Sequence, residues 1–223
     1  MAEALRRAAI IPAAGLGTRL NKGPKAFLTL GNRTLIEWVA HSLAPIVDSI
    51  VIAVPEGFEH QATILLPDCT IITGGNSRHG TIANLFNAID AKTVLIQDAA
   101  RPFASRELHE AVFLAAEAHG AAGAFIDPVV PVGRINGGDV SRFWRRDEVG
   151  IFQAPQAYSH AVLAKAMQAP DGNTFQSTAQ LVISRCQSLA AVPGEAENIK
   201  ITTQLDWDIA EKVIAPKLGH KYQ

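Results

Sequence analysis

The chain has 223 residues, with 20 Lys+Arg against 21 Asp+Glu, a formal charge of −1 and 48% hydrophobic residues. That length fits one large domain able to bury a core unaided, and two cysteines, Cys69 and Cys186, cannot build a disulfide framework or a four-ligand zinc site. The near-neutral balance excludes a protein that coats nucleic acid through bulk positive charge; the apolar run Ala8–Ala14, broken by Pro12, is shorter than a membrane span of about 20 residues and leads into glycines, unlike a signal peptide. A soluble, cytoplasmic protein is expected.

Strand and helix signals alternate from the start. Ala8–Pro12 is a short apolar run ending in a glycine-rich loop, which predicts a strand. Thr34–Ser42 has apolar residues at helical spacing, and Thr34 with Glu37 has the spacing of a capping box. Ser49–Val54 is a continuous β-branched run stopped by Pro55, the pattern of a buried parallel strand. Cys69–Ile72 predicts a third strand, and residues 80–90 a helix with Ile82, Leu85, Phe86 and Ile89 on one face. Thr93–Gln97 predicts a strand, Ser105–His119 a helix with Ser105 as its N-cap, and Gly123–Ile126 another strand. Between Val129 and Phe152 the alternation lapses around Gly137-Gly138, which predicts a protruding hairpin or arm. Helices follow near Ser159–Met167 and Ser177–Cys186, then a strand at Leu189–Val192 and a last helix at Leu205–Ile214. This α/β alternation predicts a mostly parallel sheet with helices on both faces.

Ligands of such sheets bind beyond the carboxyl ends of the strands. Three loops lie there: Ala13–Lys25, Thr73–Thr81 and Asp98–Pro102. Pro12-Ala13-Ala14-Gly15-Leu16-Gly17-Thr18-Arg19-Leu20 lets backbone N–H groups approach phosphate oxygens, with Arg19 adding a charged fork; the alternative is a plain tight turn. It lacks the Gly-Lys-Ser/Thr of a Walker loop, and Leu20 with Ala53-Val54-Pro55 argues against a dinucleotide site. Lys25 supplies a second cation beside the same turn. In Gly74-Gly75-Asn76-Ser77-Arg78-His79-Gly80-Thr81, Asn76 and Ser77 suit a base or ribose, Thr81 suits a helix cap and His79 faces solvent; a mere capping loop is the alternative. Asp98, at the end of its strand, is placed to bind Mg²⁺; the alternatives are an ion pair with Arg101 or a cap.

Six segments in order, PAAGLGTRL, GPKAFL, GGNSRHGT, QDAARPF, APQAY and GEAENIKIT, resemble the 2-C-methyl-D-erythritol 4-phosphate cytidylyltransferase family and its polyol-phosphate relatives over nearly the whole chain. The resemblance implies a Rossmann-like, glycosyltransferase-A-type nucleotidyltransferase fold, one domain over residues 1–223. It also implies a homodimer formed through a β-arm at about 132–150. It implies that Ala13, Ala14, Gly15, Gly17, Arg19 and Lys25 surround the triphosphate of CTP, that Gly75, Asn76, Arg78 and Thr81 surround cytosine and ribose, and that Ala99 and Ala100 lie beside them. Asp98, supported by Glu197, would bind Mg²⁺. Lys200, Arg146, Thr174 and Arg101 would face a phosphorylated polyol, Arg146 reaching from the arm into the partner's site. The catalytic cations on this reading are Arg19, Lys25 and Lys200, and the acceptor phosphate, already anionic, needs no base.

The sequence departs from the family pattern mainly on the acceptor side. Thr174-Phe175-Gln176-Ser177-Thr178 lacks the two acidic residues of the usual Thr-Asp-Asp/Glu-x-Ser, and Pro131-Val132-Gly133-Arg134 stands where Asp-Thr-x-Lys is common. Asn76 replaces a frequent acid and Glu197 a usual aspartate. Transfer of CMP to 2-C-methyl-D-erythritol 4-phosphate is the leading expectation. The alternatives are another polyol phosphate such as ribitol 5-phosphate, a pyrophosphorylase using another NTP, and a CTP-binding paralogue without catalysis.

Overall fold

The computed structural model describes residues 5–15, 17, 20, 23–168, 174–185 and 188–218; Arg19 and Cys186 lie outside the described residues. The first strand, β1 (Leu5–Pro12), lies in the interior of a seven-stranded sheet. It pairs in parallel with β4 (Ser49–Val54) on one side and β6 (Ala91–Ile96) on the other, Ile10 facing both Val51 and Ile96. Beyond β4 lies β5 (Thr70–Thr73). Beyond β6 come β10 (Ile151–Ser159), β7 (Ala121–Ile126) and the edge strand β11 (Ala190–Pro193). Only β10 runs antiparallel to its neighbours in this sheet.

Because side chains alternate along a strand, β1 feeds two cores. Ala9 and Ile11 pack with α1 (Leu35–Leu43), α2 (Glu59–Leu65) and α4 (Arg106–His119). Ala8 and Ile10 pack with α3 (Arg78–Asn87), α5 (His160–Met167) and α6 (Thr178–Ser184). A third cluster joins Leu30 on the small hairpin β2 (Thr29–Leu30) and β3 (Arg33–Thr34) to Trp38, Trp207 and Ile214. It docks α7 (Gln204–Ile209), which passes through a π-turn at 210–214 into α8 (Ala215–Leu218). None of the helices, within the described residues, is long and apolar enough to cross a membrane.

Several helix starts are those expected. Thr34 and Glu37 close a reciprocal capping box on α1, and Ser105 accepts from Leu108 N to cap α4, which Gly120 ends in the left-handed region at φ 83°. Between β7 and β10 the chain projects as β8 (Val132–Asn136) and β9 (Asp139–Trp144), an antiparallel two-stranded arm. Three expectations need correction. Ser77, not Thr81, caps α3, because its side chain accepts from Gly80 N; Ile89 lies beyond that helix, although it is buried. The strand β10 has no counterpart among the expected elements, since Pro155 interrupts its pattern; Pro155 falls where the register with β7 shifts between Gln153 and Gln156, so its missing N–H breaks no regular ladder.

Candidate active site

In the main sheet β1 and β6 sit where connections diverge to opposite sides, and a cleft of about 370 Å³ opens beyond their carboxyl ends. Its walls come from Ala14 and Gly15 after β1, Gly75, Asn76, Arg78 and Thr81 around the start of α3, Asp98, Ala99 and Ala100 after β6, and Lys200. The first two loops touch closely: a Cβ on Gly74 would collide with the Ala14 Cβ, and one on Gly75 would come 2.9 Å from the Gly80 carbonyl carbon. Thr81 braces the turn from within, its Oγ1 accepting from Gly75 N at 3.0 Å. The N-terminus of α3 opens on the same space, which favours an anion there.

A second cleft of about 410 Å³ shares Arg78, Asp98 and Lys200 with the first. Arg101, Gln156, Gln176, Ser177 and Gln180 give it polar walls, and Phe125, Phe152, Ile183 and Leu189 an apolar one. The Phe125 and Phe152 rings lie tilted, with centroids 5.3 Å apart, an ordinary aromatic pair. Gly123 leaves the room, for a Cβ there would come 2.8 Å from Phe152 Cε2.

Asp98 joins the clefts. Its Oδ2 accepts from Lys200 Nζ at 2.7 Å, and its Oδ1 faces an Arg78 guanidinium nitrogen at 3.5 Å. Burial alone would raise the carboxyl pKa; Lys200 and Arg78 outweigh it and hold the group below the usual aspartate value. Arg78 also reaches Thr178 Oγ1 at 3.3 Å, tying α3 to α6 across the junction.

Other expected residues are placed differently. Ala13 is buried with its N–H on Ala53 O, and Gly17, at φ 66°, packs against Gly23 O and Lys25. Lys25 Nζ donates to the carbonyl of Ile201 at 2.7 Å, and Arg101 donates to the carbonyl of Asn198 at 2.5 Å. Both cations therefore brace the segment that carries Lys200, although Arg101 still lines the second cleft. Glu197 is exposed and pairs with Lys217 at 3.4 Å, so it stands apart from both clefts as the described residues line them. Arg146 is exposed at the foot of the arm, and Thr174 is exposed before α6; neither is among the described residues that line these two clefts. Arg19 lies outside the described residues.

Residues outside the expected site complete the frame. Gln153 Nε2 donates to Glu195 O at 3.0 Å, buried Asn198 donates to Ala154 O at 2.7 Å, and Ser105 donates to Glu195. Asn198 stands inside the NIKIT string, so a signal for it was present; Gln153 sits in the unforeseen strand.

A family model described as 2-C-methyl-D-erythritol 4-phosphate cytidylyltransferase matches residues 7–215. The chain belongs to this family. The cytidylyltransferase of Deinococcus radiodurans is 36% identical over 208 residues, covering 92% of this chain and 88% of that protein. That of Thermus thermophilus is also 36% identical over 208 residues, covering 91% and 94%. A crystal structure of the enzyme from Thermus thermophilus superposes with a TM-score of 0.78 at 32% identity, covering 94% of this chain and 98% of that one. A 4-diphosphocytidyl-2C-methyl-D-erythritol synthase from Anaerococcus prevotii gives 0.82 at 26% identity, covering 92% and 96%. Cytidylyltransferases of this family thus share its mostly parallel, Rossmann-like nucleotidyltransferase fold.

Proposed function

We propose that this chain transfers the cytidylyl group of CTP to 2-C-methyl-D-erythritol 4-phosphate and releases pyrophosphate. The observation that carries the reading is the pair of clefts meeting on Asp98, with Lys200 and Arg78 on either oxygen. The first cleft suits a nucleoside triphosphate: small residues admit the phosphates, and Asn76 and Ser77 offer polar groups to base or ribose. The second suits an acceptor with a phosphate at its cationic end and a methyl-bearing carbon against Phe125, Phe152 and Leu189. That apolar wall favours the branched polyol over ribitol 5-phosphate, one methyl in such a pocket being worth roughly 10–200-fold in discrimination.

An acceptor phosphate oxygen attacks the α-phosphorus of CTP, forming one P–O bond as the bond to the β-phosphate oxygen breaks and pyrophosphate leaves. The nucleophile is already an anion, so the protein positions reactants and offsets charge rather than removing a proton. Lys200 draws the acceptor phosphate towards the junction, and Arg78 offsets charge on the nucleotide side. Arg19 and Lys25 complete the cationic surround of the triphosphate, Lys25 by leaving or sharing its carbonyl.

The described residues contain no cluster of three His, Cys, Asp or Glu side chains. One carboxylate facing a phosphate site does fit Mg²⁺, which commonly binds through one or two carboxylates plus substrate phosphates. Held by Asp98, Mg²⁺ would neutralise phosphate charge and steady the leaving group; Glu197 supports it only by parting from Lys217. A second copy of the chain, meeting this one through the arm, would bring Arg146 to the neighbouring acceptor cleft.

The test is pyrophosphate release with Mg²⁺, crossing four NTPs against a panel of polyol phosphates. Turnover with CTP and 2-C-methyl-D-erythritol 4-phosphate is expected to exceed that with ribitol 5-phosphate at least tenfold. CTP binding without turnover on any acceptor would overturn the reading in favour of a non-catalytic paralogue.

A further inference from the structure

Gln156 and Tyr158 lie two residues apart on β10, so their side chains leave the strand on one face. Gln156 is 1% exposed and Tyr158 fully buried. The Tyr158 hydroxyl donates to Gln156 Oε1 at 2.6 Å. Burial pushes the phenol well above its ordinary pKa, against an opposing influence from Arg78, so the hydroxyl keeps its proton. A buried hydroxyl has to donate somewhere, and this one faces the amide.

That bond orients the glutamine. With Oε1 turned to Tyr158, the Nε2 group is directed away, and Gln156 lines the second cleft. Among the described residues, its Nε2 donates to no protein group, and it is not sealed off from solvent. Of the other polar groups there, Arg78 and Lys200 attend Asp98, Arg101 holds Asn198 O, and the amides of Gln176 and Gln180 belong to exposed side chains, unlike that of buried Gln156. The cations draw phosphate, leaving an uncharged, pre-oriented donor for a neutral oxygen.

We propose that Gln156 determines acceptor specificity by donating through Nε2 to a hydroxyl oxygen of the polyol, and that Tyr158 is the positioning residue that fixes its amide. The inference rests on the cytidylyltransferase reading and names a recognition element within it. A fixed donor rewards an acceptor that presents oxygen at that point, because an analogue without it leaves a buried polar group unpaired. The tyrosine removes the entropy of setting the amide on binding.

The test is steady-state kinetics of pyrophosphate release in the unsubstituted protein, Gln156→Met, Tyr158→Phe and the double variant. Each substrate is varied with the other saturating. Gln156→Met is expected to raise the KM for 2-C-methyl-D-erythritol 4-phosphate about tenfold while leaving the KM for CTP within twofold. Tyr158→Phe, which keeps the ring and its packing, is expected to raise the acceptor KM about threefold. The double variant should resemble Gln156→Met alone, since Tyr158 acts through the amide. An unchanged acceptor KM in Gln156→Met, a parallel rise in the CTP KM, or additive effects in the double variant would overturn the inference while leaving the activity standing. No turnover by the unsubstituted protein would overturn the cytidylyltransferase reading and this inference together.

Discussion

Asp98 carries opposed demands in one carboxylate: Lys200 on one oxygen, Arg78 near the other, and a position between two clefts. Its low pKa keeps it charged throughout the neutral range, as a ligand for a hard cation needs. Asp98→Asn keeps the shape and removes the charge. The Mg²⁺ concentration for half-maximal pyrophosphate release should then rise at least about tenfold, since even outer-sphere partners of metals commonly matter that much; an unchanged titration would contradict the metal assignment. That Asp98 ends an apolar strand beside Arg101 was legible; its pairing with Lys200, 102 residues away, was not. Nor was one bond of Lys25 legible: beside its expected place at the glycine turn, its Nζ donates to the carbonyl of Ile201, 176 residues away. No local pattern announces such a contact.

Several helix starts and most strands were legible for a local reason. Caps such as Thr34 with Glu37, Ser105 and Ser159 satisfy backbone groups within one turn, so the relevant residues lie side by side in the chain. The strand β4 matches its expected bounds because burial on both faces writes a continuous apolar run. In β10 local and tertiary signals conflict: Pro155 argues against a strand, while pairing with β6 and β7 on both sides imposes one. The arm was expected as a hairpin and is one, but its surface says more than its connectivity. Ile135 is 72% and Phe143 66% exposed, on a two-stranded element that is marginal without support. A homodimer that covers this arm predicts that Phe143→Asp halves the sedimenting mass without changing the far-ultraviolet circular dichroism. A monomeric unsubstituted protein would contradict the arm assignment.

Stability of the molecule involves charges that the site does not use. Arg7, buried on β1, donates to Glu117 at 2.7 Å and Glu110 at 2.8 Å, with its guanidinium 4.9 Å from the Phe113 ring centroid. Those partners raise its pKa despite burial, so the sheet is pinned to α4 by a paired cation. His109, on the same helix, is fully buried, and neither ring nitrogen has a partner among the described residues. Burial lowers its pKa to about 3. The unfolded chain takes up that proton near pH 6.5, so keeping the imidazole neutral adds no protonation-linked cost above that pH, and stability falls as the pH drops towards 3. The slope from this group is at most about 1.4 kcal/mol per pH unit. Denaturant titrations at pH 7.5 and 5 should show the loss, and His109→Phe should reduce it; the same pH dependence in both proteins would contradict the assignment.

Read alone, the sequence determined the alternation of strands and helices, the three loops at the carboxyl edge and, through ordered motifs, the family. These are properties of neighbouring residues: periodic burial, caps and glycine turns act over a few positions, and motifs preserve them in order. Tertiary structure alone decided which cations face the junction and which brace carbonyls, which strand β10 became, and how Tyr158 turns Gln156 towards the second cleft. The physical reason is that a charged or amide side chain takes the nearest partner left in space, and in this fold that partner is often about a hundred residues away in the chain.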